Sequence, residues 1–258
     1  MRDELPAQCP KVGRIDGWSP KRSGAGQNPA YRPTHHPHRK LKLSGKIESV
    51  NKPAVNKPAV NKARVVLASA SPARLRLLQQ AGIDPEVVVS GVDETGVDTT
   101  NTRTAVAKLA EMKAAAVISQ ASNALVIGCD SLLDLDGDAI GKPASPAEAI
   151  EICLAQRGRT ATLMTGQCVI NTSTGNKVIN VDETLVHFAE MSEEQIRAYV
   201  ATGEPLQVAG SFTLDGFSAP FIDRIEGDPS NVIGLSLSLL RRQLFELGID
   251  ITSLWRCK

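Results

Sequence analysis

Asp130 and Lys142 stand on either side of Asp136-Gly137, and an Asp-Gly pair between apolar segments marks a two-residue hairpin turn. With 136 and 137 at the turn, Leu135 faces Asp138 and, counting outward, Ser131 faces Lys142 with Asp130 beside it. Register alone thus sets a carboxylate, at the end of the buried run Leu125-Val-Ile-Gly-Cys, near an ammonium. A metal-bound phosphate needs both: an acid to hold the cation or activate water, and a base to neutralise phosphate charge. Two competing readings of this stretch fail on spacing. Asp134-x-Asp136-Gly-Asp138 resembles part of a calcium loop, but Ser145 stands where the terminal Glu belongs and the Gly comes too early. Gly137-x-x-x-Gly141-Lys142 is one residue short of a P-loop, with Pro143 where a Ser or Thr would hold magnesium.

A second anion site is suggested upstream. Arg64-Val-Val-Leu-Ala reads as a short buried strand, and Ser69-Ala-Ser71-Pro72 stops it before a helical pattern with Leu75, Leu78 and Ala81 on one side. Ser71 suits the N-cap, Pro72 the first helical position where a missing N–H costs nothing, and Gly82 the left-handed stop. Free backbone N–H groups and the positive dipole end suit a phosphate, with Arg74 in the first turn beside them. The same strand-loop-helix also occurs in α/β proteins that bind nothing there. A further helix over about 104–119 carries Val106, Leu109, Ala110, Ala116 and Val117 as its apolar stripe, and Lys113 falls inside it. Either its methylenes lie along the core and its ammonium reaches water, or the ammonium enters a cleft to meet an anion. Between the two helices, Val92-Asp93-Glu94-Thr95 is an acidic loop, and what faces it decides whether it is solvated surface or a ligand.

The elements that must position these groups follow an α/β pattern. Ser145-Pro146-Ala-Glu148 reads as a capping box before a helix to about Gln156, and strands near 160–171 and 177–189 join through Ser173-Thr-Gly175. Ser192-Glu-Glu-Gln195 caps another helix, ended at Gly203. The Gly-rich segment 203–216 is too long and irregular for a bare connection, and long loops in compact domains are often functional. Phe221-Ile-Asp-Arg-Ile reads as a strand, and 227–234 as a turn into a final helix around 237–247.

A chain of 258 residues, 42% hydrophobic, can build one substantial core or two small ones. Its near-neutral total conceals an asymmetry, 14 Lys/Arg against 4 Asp/Glu before Val65 and 15 against 24 from Val65 onward. Such a split can mark a nucleic-acid or membrane arm. Residues 1–63 show no period of 2 or 3.6 and run into the tandem Asn51-Lys-Pro-Ala-Val, Asn56-Lys-Pro-Ala-Val, so a disordered basic tail without a core is expected there and one domain over 64–258. A basic arm for nucleic acid, with His35, His36 and His38 as a metal tract, is the functional alternative to a bare extension. Cys9, Cys129, Cys153, Cys168 and Cys257 form no C-x-x-C pair, which argues against a zinc ribbon or a disulfide framework and fits a reducing cytosol. No apolar run approaches the roughly 18 residues that span a bilayer, and no signal-peptide core is visible, so a soluble cytoplasmic protein is expected.

Eight short motifs follow one another from Val65 to about Leu247: Leu67-Ala-Ser-Ala-Ser-Pro-Ala-Arg74, Val92-Asp-Glu94-Thr, Leu109-Ala-Glu-Met-Lys113-Ala, Gly128-Cys-Asp130-Ser131, Gly141-Lys142-Pro, Gly158-Arg-Thr-Ala-Thr-Leu-Met-Thr-Gly166, Ala209-Gly-Ser-Phe-Thr-Leu-Asp215-Gly and Gly227-Asp-Pro-Ser-Asn-Val-Ile-Gly-Leu235. Each is weak alone; in this order and spacing the body resembles the Maf (septum-formation-inhibitor-like) nucleotide pyrophosphatases. The resemblance implies an α/β fold with an elongated mixed β-sheet flanked by helices in two lobes around a central cleft, as in Maf and ITPase-like proteins. It implies a metal-dependent hydrolase that cleaves nucleoside triphosphates, standard or modified, to monophosphate and diphosphate as nucleotide-pool housekeeping, usually as a homodimer. Carried over position by position, Ser69 and Arg74 would hold phosphate and Lys113 and Lys142 would meet the triphosphate. Glu94 and Asp130 would bind the divalent cation, Mg²⁺ or Mn²⁺, and Asp130 would accept the proton of the attacking water.

Three departures bear on specificity. The family commonly has Arg-Arg after Ser-x-Ser-Pro, Thr after the catalytic Asp and Gln in the Gly-rich segment, where this chain has Ala73-Arg74, Ser131 and Asp215. These places are linked in the family to the base accepted. An ionised Asp215 accepts hydrogen bonds and donates none, so no base is assigned. A His usual before the Thr-Gly is also absent, with Ala161 in its place. The alternative function is a catalytically weak nucleotide-binding regulator of cell division whose basic tail contacts nucleic acid. The retained Glu94, Asp130, Lys113 and Lys142 favour the enzyme, with no nucleic-acid partner, because a pure binder does not need a water-activating acid.

Overall fold

The computed structural model describes residues 63–256. The expected tail, with its tandem pentapeptide and histidine tract, therefore lies outside the described residues apart from Ala63, as does Cys257. Strand β1 (Arg64–Leu67) leads through the Ser-rich turn into α1 (Pro72–Gln80), where Ser71 Oγ accepts the Arg74 N–H at 3.4 Å. Gly82 ends the helix at φ +80°, the conformation a glycine adopts without strain. After β2 (Glu86–Val87) and a loop over 88–101 comes α2 (Thr102–Ala116), which starts two residues before the expected position because the Asn101 side chain caps it, accepting the Thr104 N–H at 2.9 Å. Then follow β3 (Ala124–Leu135), β4 (Asp138–Ile140), α3 (Pro146–Gln156), β5 (Thr160–Asn171), β6 (Lys177–Phe188), α4 (Glu193–Ala201), β7 (Ile222–Glu226), α5 (Pro229–Ile233) and α6 (Leu237–Glu246).

The seven strands form one mixed sheet in the order β2-β1-β3-β5-β6-β7, with β4 added to β3. β1 runs parallel to β2 and β3, and every other pairing is antiparallel. Helices pack on the sheet, as an α/β chain requires. The twelve residues of β3 show where the site must lie. In its first half Leu125, Ile127 and Cys129 join a core with α1 and α6, while Ala124 and Val126 join another with Ala110 and Ala114 of α2. Near its end Leu133 and Leu135 enter a third core with Leu163, Val186 and Phe212. Asp130, Ser131 and Leu132 fall between these cores, so the cleft crosses the sheet at the middle of its central strand.

Two local expectations are corrected. The Asp136-Gly137 turn forms, with φ +57° and +94°, and pairs Leu135 with Asp138 and Leu133 with Ile140. The ladder ends at Ile140, and the chain beyond it is held to the Gly-rich segment, the Gly141 carbonyl accepting the Gly210 N–H at 2.9 Å. No ladder pair therefore joins Lys142 to Ser131, which on the other edge of β3 pairs with Thr165 of β5, as Asp130 does with Gly166. The box at Ser145 is also incomplete: Ser145 Oγ accepts the Glu148 N–H, but the Glu148 carboxylate turns to the Ala144 N–H at 2.7 Å. At Ser192 and Gln195 both halves of the box are present. The Gly-rich segment folds as short 3₁₀ turns, with Gly210 at φ +66° against Leu133. Among the described residues no helix is long and apolar enough to cross a membrane.

Candidate active site

The site begins with how closely α2 can approach the sheet. A Cβ on Gly128 of β3 would lie 2.6 Å from the Ala114 nitrogen, and one on Gly166 of β5 would lie 2.7 Å from the Ala107 nitrogen. Glycine at both places lets the helix backbone rest on the strands. Lys113, in the last turn of α2, is thereby laid beside Asp130. Its Nζ donates to Asp130 Oδ1 and pairs with Glu94 Oε1 at 2.8 Å. The Lys113 and Asp130 side chains are only 13% and 11% exposed, whereas Glu94, on the loop over 88–101, is half-exposed. One cation thus holds together two carboxylates that would otherwise repel each other. Of the two positions left open for Lys113, the ammonium in a cleft is the one adopted.

Arg74 forms the opposite side of the floor. Its Nε donates to the Gly234 carbonyl at 2.7 Å, Nη1 to the Cys129 carbonyl at 2.9 Å and to Ser69 Oγ at 3.3 Å, and Nη2 to Ser131 Oγ at 3.1 Å. Of five guanidinium N–H groups, one remains uncommitted among the described residues where Arg74 borders the cleft. Ser69 is buried behind this fork, accepting from Arg74 and from the Ser71 N–H, and it does not line the cleft. Ser131 continues the network to Thr165 Oγ1 at 2.8 Å, which donates to the Asn231 carbonyl at 3.1 Å. A chain of hydrogen bonds therefore ties α1, β3, β5 and α5 around the base of the cleft.

The cleft encloses about 690 Å³, within the range of small-molecule sites. Arg74, Glu94, Lys113, Asp130, Ser131, Lys142 and Asp215 all line it. Of the sequence-selected residues, only Ser69 stands back from it. A second depression of about 710 Å³ is lined by Asp182, Glu183 and Asp228 without a lysine or arginine, so a phosphate would find no countercharge there. Three lining residues that the sequence reading did not single out, Arg76, Thr213 and Glu204, hold Asp215 and its loop. Arg76 donates to Asp215 Oδ2 at 2.8 Å, joining α1 to the Gly-rich segment, while Thr213 Oγ1 donates to Asp215 Oδ1 at 2.5 Å. Glu204 accepts the Phe217 and Ser218 N–H groups at 2.9 and 3.3 Å and so fixes the loop that carries Asp215. Arg76 and Asp215 lie 139 residues apart and Glu204 and Phe217 13 apart, and no helical or strand period marks either pair.

Among the described residues no group of three or more His, Cys, Asp or Glu converges on one point. Glu94 and Asp130 do converge, and they already share a cation. Two carboxylates that no third His, Cys, Asp or Glu joins among the described residues suit Mg²⁺ or Mn²⁺, which take one or two protein carboxylates and complete their shells with water and phosphate.

Residues 64–247 match the family model described as Maf-like protein. The chain is 58% identical over 194 residues to a nucleoside triphosphate pyrophosphatase of Streptomyces coelicolor, covering 74% of this chain and 94% of that one. A protein of the same name from Streptomyces avermitilis is 55% identical over 194 residues, with the same coverage of each chain. Another from Nostoc punctiforme is 47% identical over 191 residues, covering 74% of this chain and 97% of the relative.

Proposed function

The chain belongs to the Maf family, and from that premise we propose that it is a nucleoside triphosphate pyrophosphatase that releases a nucleoside monophosphate and diphosphate. The observation that carries the reading is the meeting of Glu94, Lys113 and Asp130 in a cleft also lined by Arg74 and Lys142. Two converging acids with three bases beside them, in a hollow lined in all by four acids and four bases, suit a substrate that is itself a polyanion with a bound cation. The 58% identity to a relative of that name supports it.

Asp130 is the proton acceptor in this reading. In the metal-free protein one of its oxygens takes the Lys113 ammonium, and the other accepts no hydrogen bond among the described residues and is left for water. Attack of that water on the α-phosphorus forms one P–O bond and breaks the bond to the bridging oxygen, so diphosphate leaves with the electron pair. Lys142 and the uncommitted N–H of Arg74 stabilise the negative charge that builds up. A divalent cation, Mg²⁺ or Mn²⁺, would be held by Glu94 and Asp130 and would neutralise phosphate oxygens when bound. Ser69 acts by positioning Arg74 rather than by touching phosphate. Asp215 and Ser131 border the remaining space and bear on which base is accepted.

We also propose a cytoplasmic homodimer in which residues 64–258 are the catalytic domain and residues 1–63 a dispensable tail. Three buried free cysteines, Cys129, Cys153 and Cys168, support a reducing compartment, and the dimer rests on the family resemblance. The test is release of diphosphate from a panel of standard and modified triphosphates with Mg²⁺ or Mn²⁺, using the full chain and one lacking residues 1–62. Triphosphate binding without cleavage of any member would replace the enzyme by a nucleotide-binding regulator. Activity lost with the tail would overturn its dispensability.

A further inference from the structure

We propose that Lys113 and a divalent cation compete for the same two carboxylates, so that the ammonium keeps Glu94 and Asp130 converged until the metal releases it to the triphosphate. The inference deepens the proposed function and rests on its assignment of Glu94 and Asp130 as metal ligands.

Its basis is the sharing of one ammonium. Lys113 Nζ touches Asp130 Oδ1 and lies 2.8 Å from Glu94 Oε1, and among the described residues these are its only polar partners. A magnesium-sized ion bonds carboxylate oxygens at roughly 2.0–2.1 Å. An ammonium in hydrogen-bond contact with the same oxygens would then stand within a few ångströms of a double positive charge. Repulsion at that distance in a largely enclosed site is strong, so the two occupants exclude each other.

The surroundings decide which group moves. Asp130 is fixed in the central strand by its pairing with Gly166, and the Lys113 backbone is fixed by the glycine contact under Ala114. The Lys113 side chain itself borders the cleft, which also holds Lys142. A displaced ammonium therefore has open space on the side where the phosphates bind. Glu94 is half-exposed on a loop without helix or strand and adjusts its reach easily. Without nucleotide, metal binding must break an ion pair with no new partner for the lysine. With a triphosphate present, the released ammonium gains phosphate oxygens. Metal and nucleotide consequently favour each other's binding by the same factor, and the free protein resists idle loading with metal.

The experiment measures Mn²⁺ binding to the full chain by calorimetry or electron paramagnetic resonance. It is made without nucleotide and with a triphosphate whose α–β bridging oxygen is replaced by methylene, which resists cleavage. Lys113→Met should bind Mn²⁺ roughly three- to tenfold more tightly than the unaltered protein in the absence of nucleotide, the effect of losing one competing ion pair. Its coupling between Mn²⁺ and the analogue should shrink. Lys113→Arg keeps the charge and should stay close to the parent. Lys113→Gln, uncharged but polar, repeats the test should the methionine variant fold poorly, as checked by thermal melting. Unchanged or weaker Mn²⁺ binding in the folded neutral variants overturns the proposal. Because no turnover is measured, failure of the enzymatic reading shows separately as an absence of diphosphate release. Mn²⁺ binding that survives in Glu94→Gln/Asp130→Asn would remove the carboxylates as ligands and the inference with them.

Discussion

Gly128 lies directly beneath Ala114, so close that a Cβ on the glycine would sit 2.6 Å from the Ala114 nitrogen and 2.9 Å from its Cβ. The contact joins packing to chemistry, because Lys113 precedes Ala114 on the helix and Asp130 follows Gly128 by two places on the strand. Gly128→Ala should push α2 off the sheet. Overpacking of this kind costs about 1–3 kcal/mol, and for a body of this size that lowers Tm by roughly 3–10 °C. Diphosphate release measured well below the melting point should fall as well, since Lys113 is carried away from Asp130. Calorimetry showing an unchanged Tm would mean that the helix is not held at this contact.

Asp130→Asn retains the shape of the side chain and removes its ability to take a proton. Turnover should fall by about 10²–10⁴, the range of a positioned general base. Circular dichroism should report an intact fold, because Glu94 still pairs with Lys113. Glu94→Gln should weaken metal binding more than the acid-base step, seen as a rise in the Mn²⁺ concentration that gives half-maximal rate. Undiminished diphosphate release by the Asn variant would remove Asp130 from the role of proton acceptor.

The fork of Arg74 reaches Gly234, Cys129, Ser69 and Ser131 at once, which a lysine's single ammonium does not do. Arg74→Lys should therefore destabilise the protein by about 1.5–3 kcal/mol, the value of one or more charged hydrogen bonds lost, and should also raise KM for the triphosphate. Ser69→Ala separates the two roles. Among the described residues its hydroxyl meets only Arg74 and the Ser71 N–H, so Tm should drop slightly while KM stays near the parent value. A tenfold or larger rise in KM for Ser69→Ala would restore direct phosphate contact to this serine.

Much of this arrangement was legible in local patterns, because the physics that sets it is local. Ser71-Pro72 with Gly82, Ser192 with Gln195, and Asp136-Gly137 each specify a cap or a turn within a few residues, and each formed as read. The Lys142 register failed for a non-local reason, since the chain after Ile140 is tied through the Gly141 carbonyl to Gly210, distant in sequence. Ser69 was assigned to phosphate by motif. Its place behind the Arg74 fork depends on how a guanidinium threads between β3 and α5, which spacing alone does not encode. Arg76 and Glu204 have partners 139 and 13 residues away, and neither separation corresponds to a helical or strand period. The convergence of Glu94 with Lys113 likewise required the irregular loop over 88–101 to be placed in three dimensions. The motifs carried the chemistry, while the partners that orient it came from tertiary packing.

Asp215 presents an acceptor-only carboxylate to the cleft, held by Arg76 and Thr213. Asp215→Asn adds a donor and removes the ion pair, so the ratio of kcat/KM between triphosphates of different bases should shift several-fold. Arg76→Ala, by contrast, loses only an exposed pair of about 1 kcal/mol or less and should alter the ratio much less. Equal effects of both variants across the panel would show that Asp215 acts through loop order rather than through contact with the base.

Asp228 carries the clearest pH signal. Burial alone would raise its carboxyl, but hydrogen bonds from Ser230, Ser238 and Ser236 together outweigh that and hold it at about 2. Oδ1 accepts the Ser230 N–H and hydroxyl at 2.8 and 2.6 Å, and Oδ2 accepts the Ser236 hydroxyl at 2.9 Å, so one charge caps α5 and braces the start of α6. A carboxyl near 3.9 in the unfolded chain and near 2 in the folded one favours the folded state fully above about pH 4. That contribution disappears as pH falls through the folded value, toward 2. Melting curves from pH 7 to 2 should thus show a steeper acid decline for the parent than for Asp228→Asn, whose neutral amide takes no part in the titration. At pH 7 the variant should melt lower, because an amide oxygen is a weaker acceptor for the same serines. Superimposable acid limbs for the two proteins would place the acid sensitivity elsewhere and reduce the serine collar to a neutral cap.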